Sequence, residues 1–165
     1  MAELGTSGLP RPDGLIEVDT VLDIGPGIRP MGWYTPKRHI CAEPYWAYAD
    51  MLYDSGYEVW RVPAIHVLGN SKPGDFDAIY LLDVIEHMER EVGEDVLRLA
   101  QALKPKQIVV ATPNGFLRQN KDEWGLGGHE WQTHRSGWIP DDFPGWRISW
   151  YDNGTKQRGF VAMTP

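Results

Sequence analysis

The sequence predicts an α/β fold, with a doubly wound and mostly parallel sheet of seven strands that ends in an antiparallel hairpin. Short apolar runs alternate with amphipathic stretches along the chain, as in a sheet with crossover helices. The run 76–82 is apolar at nearly every position, which is typical of a central strand covered on both faces. A turn sequence at 152–155 separates the last two runs and predicts the hairpin. The predicted strands are 21–24, 40–43, 57–62, 76–82, 107–111, 146–151 and 160–163.

Helices are predicted in the connections between these strands. The stretch 45–55 ends before a glycine, and the stretch 86–103 ends at Lys104 and Pro105, residues that often finish helices. A shorter helix is predicted over 64–68. Three prolines lie in the first connection, 26–38, so the first crossover helix is expected to be shortened to about one turn.

Length and composition predict one domain. The chain has 165 residues, of which 42% are hydrophobic, and this is enough for a single core. Residues 1–18 contain three glycines and two prolines with few periodic apolar positions, so we expect a flexible arm there and the domain over 19–165. The one cysteine excludes a disulfide framework and a cysteine-based zinc site.

The charge and hydropathy of the chain argue against two kinds of partner. A net charge of −7 argues against a nucleic-acid partner, because a protein that binds nucleic acid needs basic residues to contact the phosphates. No apolar run approaches the ~20 residues of a membrane span, and the first residues lack the features of a signal peptide. We therefore expect a cytoplasmic protein without a membrane partner; nothing in the sequence predicts its oligomeric state.

The most informative segment is VLDIGPG, in which the first strand runs directly into a glycine turn. Asp23 lies near the end of this strand, and Gly25 and Gly27 allow a ligand to approach bare main chain there. Nicotinamide and flavin sites usually have a third glycine three positions later. Arg29 and Pro30 stand in that region, which disfavours a dinucleotide.

The second predicted strand ends at Glu43. A carboxylate at a strand tip only accepts hydrogen bonds, so it can take both hydroxyls of a ribose. Together with the glycine turn, Glu43 predicts a site for a nucleoside-type ligand. The alternative is a solvated glutamate in a loop.

Four successive segments resemble the motifs of class I S-adenosylmethionine-dependent methyltransferases: VLDIGPG, CAEPY, FDAIYLLDVIEHM and IVVATPNG. The resemblance covers residues 20–165, and the DVIEH element is most similar to small bacterial enzymes and ubiquinone-pathway O-methyltransferases. It implies the same seven-stranded sheet, with S-adenosyl-L-methionine (SAM) as the cofactor. The residues that it assigns to the cofactor are Asp23, Gly25, Gly27, Glu43, Tyr45, Ala64, Leu82 and Asp83.

The DVIEHM element has three interpretations. Asp83 and Glu86 have the spacing of a helix capping box, which would need no chemistry. As part of the methyltransferase motif, Asp83 would lie under the methyl donor and His87 would face the acceptor. Together with the later HEWQTHRSGW, the element also resembles small-RNA 2′-O-methyltransferases, which implies a divalent metal held by Asp83, Glu86, His87 and His134.

The long segment 112–138 is the predicted acceptor loop, because a loop of this length within a compact domain is usually functional. His134, His129 and His87, in that order, are the candidate general bases, since imidazole titrates near physiological pH. The resemblance implies transfer of a methyl group to an oxygen or nitrogen atom of a small-molecule or glycan-type acceptor. A metal-assisted RNA 2′-O-methyltransferase and a non-catalytic cofactor-binding protein are the alternatives.

Overall fold

The computed structural model describes residues 2–165 and confirms the predicted sheet. Its seven strands stand in the order β3-β2-β1-β4-β5-β7-β6. Strands β1 to β5 run parallel, and β7 pairs antiparallel with both β5 and β6. The strands are β1 (Thr20–Ile24), β2 (Arg38–Ala42), β3 (Glu58–Trp60), β4 (Ala78–Leu82), β5 (Gln107–Pro113), β6 (Arg147–Tyr151) and β7 (Gly159–Met163).

The helices are α1 (Trp46–Asp54), α2 (Ala64–Gly69), α3 (Arg90–Ala102) and the short α4 (His129–Gln132). The predicted helix 86–103 differs at its start. A 3₁₀ turn over Ile85–His87 ends at Met88, whose extended backbone separates it from α3. No helix in residues 2–165 combines the length and the apolar character that a membrane span requires.

The two faces of the sheet are covered differently. Helices α2 and α3 pack on one face, where the buried cluster includes Leu22 and Ile79. On the other face, Met31 and Trp33 from the first connection pack against β4, β5 and β7. That connection holds one turn, in which the Arg29 N–H donates to the Pro26 carbonyl, and no helix is described in it. Its prolines therefore replace the first crossover helix with an irregular segment.

The N-terminal segment, expected to be a flexible arm, is laid along this second face. Gly5 and Ser7 donate their N–H groups to the carbonyls of Ile28 and Pro30 at 3.1 and 2.9 Å. Farther along, Leu9 and Leu15 pack on the core. These are isolated apolar residues without a period, so the sequence pattern does not predict their contacts. The flexibility of the arm stays a prediction.

Strands β1 and β4 are neighbours, and the strand order reverses between them. The connection after β1 leads to β2 on one side, and that after β4 leads to β5 on the other side. In open α/β sheets, such a reversal leaves a crevice at the carboxyl ends of the two strands, where ligands bind. Gly25 follows β1 and Asp83 follows β4 at this crevice.

Candidate cofactor and acceptor cavity

A cavity of about 960 Å³ lies over the carboxyl ends of β1, β2 and β4. Five of the eight predicted cofactor residues line it, while Asp23, Gly27 and Tyr45 do not. The five are Gly25, Glu43, Ala64, Leu82 and Asp83. The structure thus brings together residues from four connections that are far apart in the sequence.

The glycine turn has a backbone that few other residues adopt. Gly25 and Gly27 both have φ of +59°, in the left-handed region. A Cβ at Gly25 would lie 2.4 Å from Val84, and a Cβ at Gly27 would lie 2.4 Å from the ring of Trp124. Trp124 therefore covers Gly27, which explains why this glycine does not face the cavity itself.

Glu43 lies at the tip of β2 and is almost completely buried. Its Oε2 accepts the N–H of Gly27 at 2.9 Å, and its Oε1 accepts the N–H of Tyr45 at 3.0 Å. Burial raises the pKa of this carboxyl to about 7, although these two hydrogen bonds oppose the rise. Gly27 thus positions the carboxylate that faces the cavity.

The side chain of Asp23 does not line the cavity and has a structural role. It points to the irregular face, where Oδ2 accepts the Met31 N–H at 2.8 Å and lies 2.9 Å from Nε2 of His39. It therefore holds the first connection rather than the ligand. Tyr45 is also set back, because its O–H donates to the carbonyl of Leu126 at 2.7 Å. Tyr48, one turn later on α1, lines the cavity instead.

Asp83 combines a strained backbone with an unusual side-chain environment. Its φ is +53°, which is uncommon for a residue with a Cβ and is often found at functional sites. The side chain is exposed within the cavity, whose walls shield it from bulk water and raise the pKa of its carboxyl to about 6. The Tyr151 hydroxyl donates to Oδ1 at 3.3 Å and opposes the rise.

The capping-box interpretation of this element is wrong. No side chain caps the 3₁₀ turn or α3, and the carboxylates of Asp83 and Glu86 have other partners. Oε2 of Glu86 accepts the hydroxyl of Thr112 at 3.1 Å. Burial, and next the charge of Asp83, raise the pKa of Glu86 well above its usual range. Two acids that disfavour each other's ionisation therefore lie side by side at the cavity.

His87 and His134 meet beside Glu86, with their ring centroids 4.9 Å apart. One donor atom from each of the three residues lies within 4.8 Å of the others. Nε2 of His87 lies 3.1 Å from the carbonyl of Asp83, so it donates there and leaves the lone pair on Nδ1. Nδ1 of His134 likewise donates to the carbonyl of Leu117. Each imidazole thus keeps one nitrogen free to accept.

Burial sets the charge of these histidines. It lowers the pKa of His87 to about 4, with a further contribution from His134, and it also lowers the pKa of His134. Both rings are therefore neutral at pH 7. Nδ1 of His87 is buried and has no hydrogen-bond partner in the described residues 2–165. By contrast, His129 is exposed and is not part of the lining, so the structure gives this predicted base no place at the cavity.

The predicted acceptor loop, 112–138, is folded by an acid that the sequence analysis did not single out. The carboxylate of Asp122 accepts the N–H groups of Trp124, Leu126 and Gly128 at 2.8 to 3.0 Å. This local pattern is a signal that the sequence offers, since Asp often bonds the backbone a few residues later in glycine-rich loops. Tyr151, also missed, lies at the end of β6, and no sequence signal connects it to Asp83.

No family model matches the sequence, and no curated protein matches it. Several solved structures share its fold. A SAM-dependent methyltransferase from Archaeoglobus fulgidus is 14% identical with a TM-score of 0.61, covering 89% of this chain and 85% of that chain. Magnesium protoporphyrin IX methyltransferase from Synechocystis PCC 6803, with bound SAM, is 11% identical with a TM-score of 0.56, covering 93% and 73%.

The complex of DhpI with SAM and HEP gives a similar result, with 12% identity, a TM-score of 0.61 and coverage of 93% of this chain and 81% of that chain. At such identities the likeness concerns the fold. The chain has the class I methyltransferase fold, as the resemblance of its motifs predicted.

Proposed function

We propose that the protein is a SAM-dependent methyltransferase that transfers a methyl group to an oxygen or nitrogen atom of an acceptor bound in the same cavity. The observation that carries this proposal is the convergence of Gly25, Glu43 and Asp83 at the tips of β1, β2 and β4. The fold supports it, and two of the similar structures named above contain SAM.

The residues present fit this cofactor. Glu43 uses one acceptor position on each oxygen for the N–H groups of Gly27 and Tyr45. A carboxylate offers about four such positions, so two remain for the two hydroxyls of a ribose. A Cβ at Gly25 would overlap the side chain of Val84, so this turn beside the cavity requires a glycine. Ala64 and Leu82 add apolar surface for an adenine ring.

When bound, SAM supplies an electrophilic methyl group on a sulfonium. The protein's task is then to hold the acceptor atom in line with that group, which contributes through orientation more than through side-chain chemistry. A hydroxyl acceptor must also lose a proton. His134 lines the cavity with a neutral imidazole whose Nε2 lone pair is free, so it can accept that proton. The free Nδ1 of His87 is buried, which makes His87 the weaker candidate base.

The walls of the cavity favour a neutral or cationic acceptor of small-molecule or glycan type. Glu123, Glu130 and Asp152 line the cavity together with the residues proposed to hold the cofactor. Trp131 lines the mouth and is 45% exposed, so its ring offers a flat apolar face on which a sugar can stack. An acidic lining of this kind disfavours phosphorylated acceptors.

Transfer of a labelled methyl group tests the proposal. The purified protein is incubated with SAM labelled at the methyl carbon and with a library of hydroxyl- and amine-bearing sugars and metabolites, followed by mass spectrometry. A labelled product that is lost with the Glu43→Ala variant supports the proposal. Tight SAM binding without any labelled product would support the non-catalytic cofactor-binding alternative instead.

A metal-assisted version of the reaction is the second candidate, and the grouping of Glu86, His87 and His134 favours it. Two neutral imidazoles and one carboxylate suit Mn²⁺, Zn²⁺ or Fe²⁺. Backbone carbonyls orient both rings, as they commonly do for histidines that bind metals. Asp83, the fourth residue of the predicted set, is not in the group and bonds Tyr151 instead. Such a metal would bind and polarise an acceptor hydroxyl, which includes the 2′-hydroxyl of an RNA.

Calorimetric titration with MnCl₂ and with ZnCl₂ separates the two candidates. The metal-assisted version predicts one bound ion per chain, lost in His134→Ala and in His87→Ala, and retained in His66→Ala, where an exposed histidine on α2 is removed. It also predicts that EDTA stops methyl transfer. Absence of ion binding, or binding that survives both cavity variants, would contradict it.

A further inference from the structure

We propose that Arg29 binds the carboxylate of the methionine moiety of the cofactor. This inference rests on the proposed function, because it assigns a ligand group within the same cavity. Arg29 comes two residues after the glycine turn and lines the cavity beside Gly25 and Pro26. In the sequence, it directly precedes Pro30, which stands where a dinucleotide site would have its third glycine, and the glycine turn itself does not explain an arginine at this position.

The guanidinium of Arg29 has hydrogen-bond donors to spare. Nη1 donates to the carbonyls of Glu3 and Ile28 at 2.7 and 2.9 Å, which uses both of its hydrogens. No hydrogen bond of the described residues 2–165 uses its Nε or Nη2, and no carboxylate there forms an ion pair with it. Three N–H groups of a planar fork are thus available, which is the geometry that matches a carboxylate.

Arg29 is one of few cationic residues in a cavity whose charged lining is mainly acidic. Six acids line the cavity, against two arginines, Arg29 and Arg135. Arg135 lies 3.9 Å from the carboxylate of Glu89 and donates to the carbonyls of Glu130 and Thr133. The six acids are Glu43, Asp83, Glu86, Glu123, Glu130 and Asp152.

The ionised carboxylates of this lining suit the sulfonium and the ammonium of SAM, but they oppose its carboxylate. A ligand that carries both signs therefore needs one cation placed apart from the acids, and Arg29 is the lining arginine without an acidic partner in residues 2–165.

The side chain is also held in place before any ligand binds. The two carbonyls fix Nη1, and its Cζ lies 5.7 Å from the centroid of the Trp124 ring. Because the rotamers are already restricted, less conformational entropy is lost when the free N–H groups bind an anion. The N-terminal segment contributes to this through the carbonyl of Glu3. Residues outside the glycine turn thus prepare one end of the cofactor site.

The test compares two ligands that differ only in this group: SAM and decarboxylated SAM. Calorimetry measures the affinity of both for the wild type, for Arg29→Gln and for Arg135→Gln. We expect Arg29→Gln to weaken SAM about 10- to 100-fold, in line with loss of a charge-assisted bidentate bond, and to leave decarboxylated SAM within about twofold. Arg29→Lys should recover part of the loss, because it restores the charge without the fork.

Arg135→Gln is the matched control, since it removes the same charge from the other end of the cavity and should change both affinities by the same factor. An equal loss of both ligands in Arg29→Gln would overturn the inference, because it would show a structural role of Arg29 in the glycine turn. Wild-type protein that binds neither ligand would instead overturn the proposed function, and with it this assignment.

Discussion

Under the proposed function the cavity has two halves, one for the cofactor and one for the acceptor, and the protein builds them in different ways. The cofactor half (Gly25, Glu43, Ala64, Leu82 and Asp83) lies on the ends of strands and at the start of α2. The acceptor half (Glu86, His87, Trp131, His134 and Tyr151) lies mainly on a 3₁₀ turn and on the long loop after β5. In the first half, the sheet fixes each position through its backbone hydrogen bonds. In the second, side-chain hydrogen bonds hold the groups: His134 donates to the carbonyl of Leu117, His87 donates to the carbonyl of Asp83, and Glu86 accepts the hydroxyl of Thr112.

This difference implies that one half determines cofactor binding and the other determines which acceptor is selected. Strand ends and bare main chain can hold the same nucleoside in many proteins of one fold, whereas loop side chains vary and determine what is brought to it. The two halves should therefore respond differently to substitution. Changes in the acceptor half should affect transfer and leave cofactor affinity intact, and changes in the cofactor half should affect binding first.

The largest effect is expected in the acceptor half. His134→Ala removes an imidazole nitrogen that faces the cavity, so methyl transfer should fall about 10²- to 10⁴-fold, the usual contribution of a general base. Cofactor affinity should change less than about twofold, since no predicted cofactor residue bonds His134. Initial rates with the best acceptor of the library and SAM titrations measure the two effects. A parallel loss of affinity would break the separation between the halves.

Gly27→Val should weaken SAM at least about 100-fold, because a side chain at φ +59° is strained and its Cβ would overlap the Trp124 ring. The displaced turn would also lose the N–H that positions Glu43. Gly74→Val is the matched control, since Gly74 also has positive φ, of +94°, and a Cβ there meets nothing within 4 Å. Equal losses in both variants would indicate general destabilisation instead of a local effect.

The same difference between strand ends and loop side chains explains which residues could be predicted from the sequence. Gly25 and Glu43 could be predicted because the apolar pattern shows where each strand ends, and parallel strands bring their carboxyl ends together. Tyr48 was missed in favour of Tyr45, because the orientation of α1 decides which ring faces the cavity. His87 and His134 are far apart in the chain, and their contact depends on how Asp122 folds the loop.

Glu43→Gln should change how stability depends on pH. The pKa of Glu43 is raised from 4.5 to about 7 in the folded protein, so its carboxyl favours folding while protonated and this stabilisation is lost as pH rises through that window. Relative to the wild type, the variant should gain about 3 kcal/mol in free energy of unfolding between pH 4.5 and pH 8. The other titrating groups are common to both proteins and cancel in this difference.

Urea unfolding of the two proteins at pH 4.5, 6 and 8 measures that difference. A difference that does not vary with pH would show that Glu43 titrates normally, and the account of a desolvated carboxyl at the strand tip would then fail.

The smallest effect is expected for Tyr151→Phe, which removes a long hydrogen bond to Asp83, of 3.3 Å. The free energy of unfolding should fall by about 1 kcal/mol or less, and SAM affinity should change little. Since this bond opposes the rise in the pKa of Asp83, that pKa should rise further above 6 in the variant. NMR titration of the Asp83 carboxyl carbon measures it, and an unchanged or lower value would contradict the assigned contact.

The central claim is that the tips of β1, β2 and β4 form a site for SAM and not for a dinucleotide. Calorimetric titration of the wild-type protein with SAM, and separately with NAD⁺, tests this claim most directly. The account predicts one SAM per chain, displaced by S-adenosylhomocysteine, and no heat of binding with NAD⁺. Saturable binding of NAD⁺, or no binding of SAM by a folded protein, would contradict it.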